Sequence, residues 1–113
     1  MKKKYLFYPM QGQEMCFMHV LLNAMDLHEA GHEVKIVFEG ASVKLPPVFE
    51  EKKLPLYLKV KEAGLIAGVC EACARTLGSL EAVLESGLPV LNDMQGHAGL
   101  KPFIEEGYEV FVF

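Results

Sequence analysis

The fold is decided by residues 4–40, "KYLFYPMQGQEMCFMHVLLNAMDLHEAGHEVKIVFEG". "KYLFYP" predicts a strand that stops at Pro9, and "GHEVKIVFEG" predicts a second strand bounded by Gly31 and Gly40. The segment between them predicts a helix over residues 14–30. Its apolar side chains recur at helical spacing, at Met18, Leu21, Leu22 and Met25. A strand, a helix and a strand within about forty residues indicate a right-handed parallel crossover and therefore an α/β protein.

Residues 42–64 contain three prolines, which would interrupt a long helix or a central strand. These prolines are Pro46, Pro47 and Pro55. We expect a loop and two short helices here. The alternation of Leu56, Leu58 and Val60 leaves a short strand as the alternative.

The rest of the chain continues the alternation of strands and helices. "LIAGVC" predicts a third strand, and its continuous apolar run is typical of a strand buried on both faces. A helix over "EACARTLG" ends at Gly78, and Ser79 is expected to cap a helix over "LEAVLESG". "LPVLN" predicts a fourth strand, "HAGLKPFIEEG" a last helix that tolerates Pro102 in its first turns, and "YEVFVF" a fifth strand. The prediction is a three-layer α/β/α sandwich around a mostly parallel five-stranded sheet, in one domain over residues 1–113.

Composition excludes several classes of protein. The chain has 113 residues, of which 51% are apolar, enough for one compact core. The net charge of −4 offers no basic surface for nucleic acid. The apolar stretch before Pro9 is too short for a membrane span and lacks a cleavage site, so we expect a cytoplasmic protein that binds no membrane. In that reducing compartment Cys16, Cys70 and Cys73 are expected to be free thiols, metal ligands or catalytic groups rather than disulfides.

Cys70 and Cys73 are the leading candidate catalytic residues. They stand where the third strand ends and a helix begins, at the sheet edge where α/β proteins bind ligands. A helix N-terminus lowers the pKa of a thiol and makes it nucleophilic. The alternative is that both are small core residues among apolar neighbours.

A bound metal is not expected from the spacing of the cysteines. A structural zinc site takes four ligands, and the sequence offers no second closely spaced Cys or His pair. A catalytic zinc on Cys70, Cys73 and His97 stays open, because all three belong to the same sheet edge. A thioredoxin-type dithiol fits less well, since its motif follows an early strand.

Polar residues after the first and fourth strands are candidate supporting groups. The candidates for ligand binding are Gln11, Gln13, Cys16, Asn92, Asp93 and His97. The tripeptide "MQG" occurs in both places, at residues 10–12 and 94–96. The alternatives are helix capping by Asn92 or Asp93 and simple packing for Cys16.

With these residues identified, "VCEACARTLG" resembles the DsrE/DsrF-like superfamily of small sulfur-relay proteins, which includes TusD-type carriers and YchN-like proteins. In one alignment Cys70 takes the persulfide-carrying position and Gly78 closes the helix. In the other, Cys73 matches the cysteine of a C-x-N-T-L variant and is followed by Thr76 and Leu77. We favour Cys70 slightly, because it is closer to the strand end. The ending "LNDMQGHAGLKPFIEEGYEVFVF" is similar to a branch of cytoplasmic DsrE-like proteins without assigned activity.

The resemblance implies a flavodoxin-like domain that needs no cofactor and assembles as trimers or hexamers. It also implies that a cysteine near subunit interfaces accepts a sulfane sulfur and passes it to a partner protein or small thiol. The second thiol could resolve the persulfide and release hydrogen sulfide. Apolar side chains in the first helix and in "YEVFVF" favour a homo-oligomer independently. An oligomeric module that binds a small ligand or a metal, without sulfur transfer, is the alternative.

Overall fold

A computed structural model describes residues 2–113 and confirms the α/β class and the three-layer arrangement. The strands are β1 (Lys4–Tyr8), β2 (Glu33–Phe38), β3 (Ile66–Cys70), β4 (Val90–Leu91) and β5 (Glu109–Val112). The helices are α1 (Glu14–Glu29), α2 (Leu45–Lys52), α3 (Pro55–Glu62), α4 (Glu71–Thr76), α5 (Leu80–Glu85) and α6 (Lys101–Glu105), with a 3-10 helix at Gly40–Lys44.

The sheet has the order β4-β3-β2-β1-β5, and every pairing is parallel. The first four strands are added in one direction, so right-handed crossovers place α1 to α5 on one face. The chain then returns from β4 to β5 at the opposite edge, and residues 92–108 cover the other face. The carboxyl ends of all five strands therefore lie along one edge.

The prolines of the middle segment start helices rather than break them. Pro46 lies in the first turn of α2, and Pro55 is the first residue of α3. A missing N–H group costs nothing in a first turn, because those N–H groups have no partner within the helix. The expectation of two short helices is confirmed, and the strand alternative over residues 56–60 is wrong.

Helix α1 packs on a face slightly different from the predicted one. Its buried residues are Phe17, Val20, Leu21 and Ala24. The Phe17 ring stacks on Phe38 of β2 with ring centroids 4.9 Å apart, which turns Leu22 outward to 52% exposure. Leu22, which belongs to the apolar stripe that the sequence predicts, therefore lies outside the buried face of α1.

Ser79 precedes α5 as predicted, but its side chain does not cap that helix. The hydroxyl instead contacts the carbonyl oxygens of Val43 and Ala74, at 3.3 and 3.5 Å. Ser79 therefore ties α5 to the 3-10 helix and to α4.

An apolar groove runs between α1 and β5. Its lining includes Tyr5, Phe7, Leu27, Phe111 and Phe113, and its volume is about 380 Å³. Phe111 and Val112 of the edge strand are 43% and 63% exposed. We call this surface the α1–β5 groove. No helix within residues 2–113 is long and apolar enough to cross a membrane.

Candidate functional site

Four side chains with ligand-forming or nucleophilic atoms converge at the carboxyl edge of the sheet. They are Glu39, Cys70, Cys73 and His97, and their donor atoms all lie within 4.8 Å of one another. Glu39 follows β2, the cysteines span the junction of β3 and α4, and His97 lies between β4 and α6. We call this set the thiol cluster.

The cysteine pair has the geometry of a strand that ends directly in a helix. Cys70 is the last residue of β3 and the N-cap of α4, and its sulfur accepts the N–H group of Cys73 at 3.5 Å. Cys70 is fully buried, whereas Cys73 is partly exposed. Both predicted thiols therefore belong to one site, but only Cys73 has access to solvent.

Glu39 is 5% exposed and joins the cysteines to β1. The Cys73 thiol donates to Glu39 Oε1 at 2.8 Å. The Tyr8 hydroxyl lies 3.0 Å from Glu39 Oε2 and 2.7 Å from the carbonyl oxygen of Ala98. Ser42 fixes the backbone of this residue, since its hydroxyl accepts the Glu39 N–H group at 3.1 Å.

His97 approaches both sulfur atoms from the loop after β4. Its Nδ1 lies 3.3 Å from Cys70 Sγ, 3.6 Å from Cys73 Sγ and 3.6 Å from Glu39 Oε1. A tight turn presents it: Met94 and His97 exchange two backbone hydrogen bonds, and Gln95 and Gly96 both have positive φ. Glycine suits the second of these positions, where φ is +92°. The second "MQG" is thus the turn that carries the histidine.

Asn92 and Asp93 hold this turn in place and do not contact the sulfur atoms. The Asn92 amide donates to Glu71 Oε2 at 3.2 Å, and Asp93 Oδ1 accepts the N–H group of Gly99 at 3.3 Å. These contacts give both residues a role in positioning the turn, and their role in ligand binding stays a prediction.

The candidates after β1 do not join the thiol cluster. Cys16 is exposed and donates to Gln13 of its own turn at 3.4 Å. Gln11 and Cys16 line a separate cavity with Phe113. The structure thus places Gln11, Gln13 and Cys16 at this neighbouring cavity and not among the four side chains of the thiol cluster.

Electrostatics keep both thiols protonated at neutral pH. Burial raises the pKa of Cys70, and burial together with the hydrogen bond to Glu39 raises the pKa of Cys73 to about 12. Burial alone would raise the pKa of Glu39, but hydrogen bonds from Cys73, Cys70 and Tyr8 outweigh it and lower that pKa. The expected lowering of the thiol pKa values by the helix N-terminus is wrong, because burial and a carboxylate oppose it.

Sequence reasoning missed Glu39 and Tyr8. Tyr8 is the last residue of β1, and Glu39 directly follows β2. In a parallel sheet such positions meet at the edge where Cys70 was placed. A search for polar residues at every predicted strand end would have found both.

This arrangement has two chemical capacities. A carboxylate that already accepts a hydrogen bond from the thiol can act as a base while Cys73 attacks an electrophilic sulfur. Two thiols, an imidazole and a carboxylate can also exchange thiol protons for a cation. The His97 side chain is 45% exposed, so the cluster is accessible from solvent on that side.

Comparisons with known proteins find relatives without an assigned activity. No protein-family model matches the sequence. An uncharacterized protein of Methanocaldococcus jannaschii, MJ0733, is 35% identical over 107 residues, which is 92% of this chain and 85% of that protein. An uncharacterized protein of Archaeoglobus fulgidus is 33% identical over 51 residues, which is 45% of this chain and 84% of that protein.

A solved structure of similar fold is a conserved protein of unknown function, BT1422, from Bacteroides thetaiotaomicron. The TM-score is 0.75 over 98% of this chain and 95% of that one. At 18% identity, the likeness concerns the fold alone.

Proposed function

The chain belongs to the family of the Methanocaldococcus jannaschii protein MJ0733, and from that starting point we propose that it is a cytoplasmic sulfane-sulfur acceptor and carrier, distantly related to the DsrE/DsrF-like sulfur-relay proteins. One observation carries the proposal. A partly exposed thiol, Cys73, donates a 2.8 Å hydrogen bond to a buried carboxylate at the carboxyl edge of the sheet. That carboxylate, Glu39, is the base that the reaction needs.

Cys73 is the acceptor in this proposal, and Cys70 is the second thiol. The resemblance slightly favours Cys70, but Cys70 is 0% exposed and a donor cannot reach it directly. Glu39 takes the Cys73 proton as the sulfur attacks the outer sulfur of a donor persulfide. A new S–S bond forms on Cys73, the S–S bond of the donor breaks, and the departing thiolate receives the proton. A persulfide and a thiol thus give a new persulfide and a new thiol.

Backbone groups support a charged sulfur in this site. The N–H group of Gly40 acts on Cys73 in the direction that favours its thiolate. The N–H groups of Cys73 and Ala98 act in the same way on Cys70. The two sulfurs lie within 4.8 Å of each other, so the Cys70 thiol can displace hydrogen sulfide from the Cys73 persulfide and leave a disulfide.

Intact-mass measurement tests the proposal. Metal-free protein is mixed with a small alkyl persulfide, and a gain of about 32 Da per chain is expected. Cys16→Ser should retain the gain, and the double variant Cys16→Ser/Cys73→Ser should abolish it. An unmodified Cys16→Ser protein would reject the proposal, and a gain that persists in the double variant would reject the role of Cys73.

The α1–β5 groove supports a proposal of a closed homo-oligomer, a trimer or hexamer. Exposed apolar side chains gather around the edge strand, where Val112 is 63% and Phe113 41% exposed, and such patches mark contact surfaces. Light scattering at micromolar concentration should give three or six times 12.6 kDa. A mass of 12.6 kDa would reject the assembly.

A further inference from the structure

We propose that Glu39, Cys70, Cys73 and His97 form a four-ligand binding site for a divalent transition-metal ion of the zinc type. This inference goes beyond sulfur transfer and does not depend on it. The same sulfur atoms serve both functions, so one molecule cannot perform both at once.

The three separations between His97 Nδ1 and the other donor atoms match a tetrahedral zinc site, and all donor atoms lie within 4.8 Å of one another. Zinc bonds of about 2.0–2.3 Å to nitrogen, oxygen and sulfur place neighbouring ligand atoms about 3.3–3.8 Å apart. The imidazole Nδ1 lies 3.3 and 3.6 Å from the two sulfurs and 3.6 Å from the carboxylate. The separation of 2.8 Å between Cys73 Sγ and Glu39 Oε1 is shorter, because a thiol hydrogen bond joins those atoms. Loss of that proton to a metal lets them separate by under about 1 Å.

The ligand types select the ion. Two thiolates and an imidazole suit zinc and other borderline ions, whereas magnesium and calcium require oxygen ligands. Binding replaces the two thiol protons with two metal–sulfur bonds and releases both protons to solvent. Two thiolates, one carboxylate and a divalent ion leave a net charge of −1 in the site. That charge equals the −1 of the site without the ion, in which Glu39 is ionised and both thiols are protonated, so binding adds no net charge to this buried position.

The surroundings orient each ligand before any ion binds. The Cys73 N–H group points at Cys70 Sγ, an arrangement that stabilises a ligating thiolate. The Tyr8 hydroxyl reaches the second oxygen of Glu39 at 3.0 Å, which is the kind of outer contact that fixes a ligating carboxylate. The turn at residues 94–97 fixes the backbone of His97. The ligands come from three segments that the fold brings together, so the site exists only in the folded chain.

The direct test is a metal titration of the chelator-treated wild-type protein. We expect one zinc ion per chain with a dissociation constant below about 1 μM, release of about two protons, and no competition from magnesium. Cobalt should give the visible bands of a tetrahedral ion and a thiolate charge-transfer band. Binding of less than one ion for every ten chains at micromolar zinc would overturn the proposal.

Substitutions separate a four-ligand site from binding by the cysteine pair alone. Glu39→Gln and His97→Asn should each weaken zinc binding more than about 100-fold, and the outer variant Tyr8→Phe about 10-fold. Cys16→Ser is the matched control and should bind like the wild type. Zinc binding that Glu39→Gln and His97→Asn leave unchanged would overturn the four-ligand assignment, as would an equal loss in Cys16→Ser. Circular dichroism checks that each variant is folded. The cobalt spectrum is recorded on the wild type, so it tests the site even if a variant fails to fold.

The two proposals fail separately. Zinc-loaded Cys16→Ser protein should take up no sulfane sulfur, and the chelated Cys16→Ser protein should gain about 32 Da. Zinc binding without a mass gain in the chelated protein rejects the carrier alone. A mass gain without zinc binding rejects the metal site alone.

Discussion

The starts of α1 and α4 look alike in sequence and differ in the folded protein. Each helix follows a parallel strand, begins at the same edge of the sheet and carries a cysteine in its first turn. Cys16 of α1 is exposed, and its thiol donates a hydrogen bond to Gln13 of its own turn. Cys73 of α4 contacts a carboxylate from β2 and an imidazole from the loop after β4.

The difference comes from the neighbouring strand ends. Helix α4 starts between the end of β2, which presents Glu39, and the turn that presents His97. Helix α1 starts beside the end of β5, where the carbonyl of Phe113 accepts the Met10 N–H group at 2.7 Å and the neighbouring side chains are apolar. The chemistry of a helix start in this fold is therefore set by the adjacent strands more than by the helix itself.

The largest expected effect is the loss of packing at the start of α1. Phe17 is 2% exposed and stacks on Phe38, so Phe17→Ala should lower the free energy of unfolding by about 3–5 kcal/mol. Cys16→Ser, one residue away, should change it by less than about 0.5 kcal/mol. Urea unfolding measures both. If Cys16→Ser lowered the free energy of unfolding by several kcal/mol, the contrast between a structural Phe17 and an exposed Cys16 would be wrong.

The second effect is a difference in thiol reactivity between the two helix starts. In chelated protein at neutral pH, iodoacetamide should modify Cys16 first and Cys73 at least about 100-fold more slowly, because burial and Glu39 raise the pKa of Cys73 to about 12. Fully buried Cys70 should react last. Peptide mass mapping over time gives the three rates. Equal rates for Cys16 and Cys73 would contradict the contrast.

A smaller effect tests the turn that brings His97 to α4. Gly96 has φ +92°, and Gly96→Ala should lower the free energy of unfolding by about 1 kcal/mol or more. Gly87 has φ +81° in a turn away from the site, so Gly87→Ala should cost a similar amount. Only Gly96→Ala should change the alkylation rate of Cys73. A matching change in Gly87→Ala would mean that the rate follows global stability and not the turn.

The smallest effect concerns Glu33 at the amino ends of the strands, opposite the thiol cluster. It should leave the starts of α1 and α4 unchanged. A hydrogen bond from Tyr108 lowers the pKa of Glu33, and the charges of Lys4 and Lys2 add to this. The stability that this carboxylate contributes is complete above its ordinary pKa of 4.5 and is lost as pH falls through the lower folded value. Glu33→Gln should cost less than about 1 kcal/mol at pH 7, and its difference from the wild type should vanish in acid. Urea unfolding from pH 7 to pH 3 tests this, and a difference that grows in acid would contradict it.

Most of the fold follows from local pattern. Periodicity, prolines and terminal glycines predict the five strands and the six α-helices, because these signals act over a few residues, but they do not predict the 3-10 helix at Gly40–Lys44. The orientation of Leu22 and the contacts of Ser79 were predicted wrongly, since both depend on what lies opposite in the folded chain.

The site could be predicted only in part. Cys70, Cys73 and His97 were found because each follows a predicted strand and belongs to a residue type with obvious chemistry. The sequence predicts Glu39 as the end of a strand, and its role in the site depends on β2 lying next to β3. The loss of Gln11 and Cys16 from the site has the same cause, because strand order decides which ends are neighbours.

The chain returns from β4 to β5 at the far edge of the sheet. The part of the site that follows β4 is therefore expected to form after the part built by the first three strands. Contacts among the ends of the first three strands join residues at moderate sequence separation, such as the 31 residues between Tyr8 and Glu39. The contact of Tyr8 with Ala98 spans 90 residues, and closing a longer loop costs more chain entropy. Residues 92–108 can thus detach while the β1–β2–β3 core stays folded. In native-state hydrogen exchange, the amide of His97 should exchange through this local opening, well before those of Val37 and Val69.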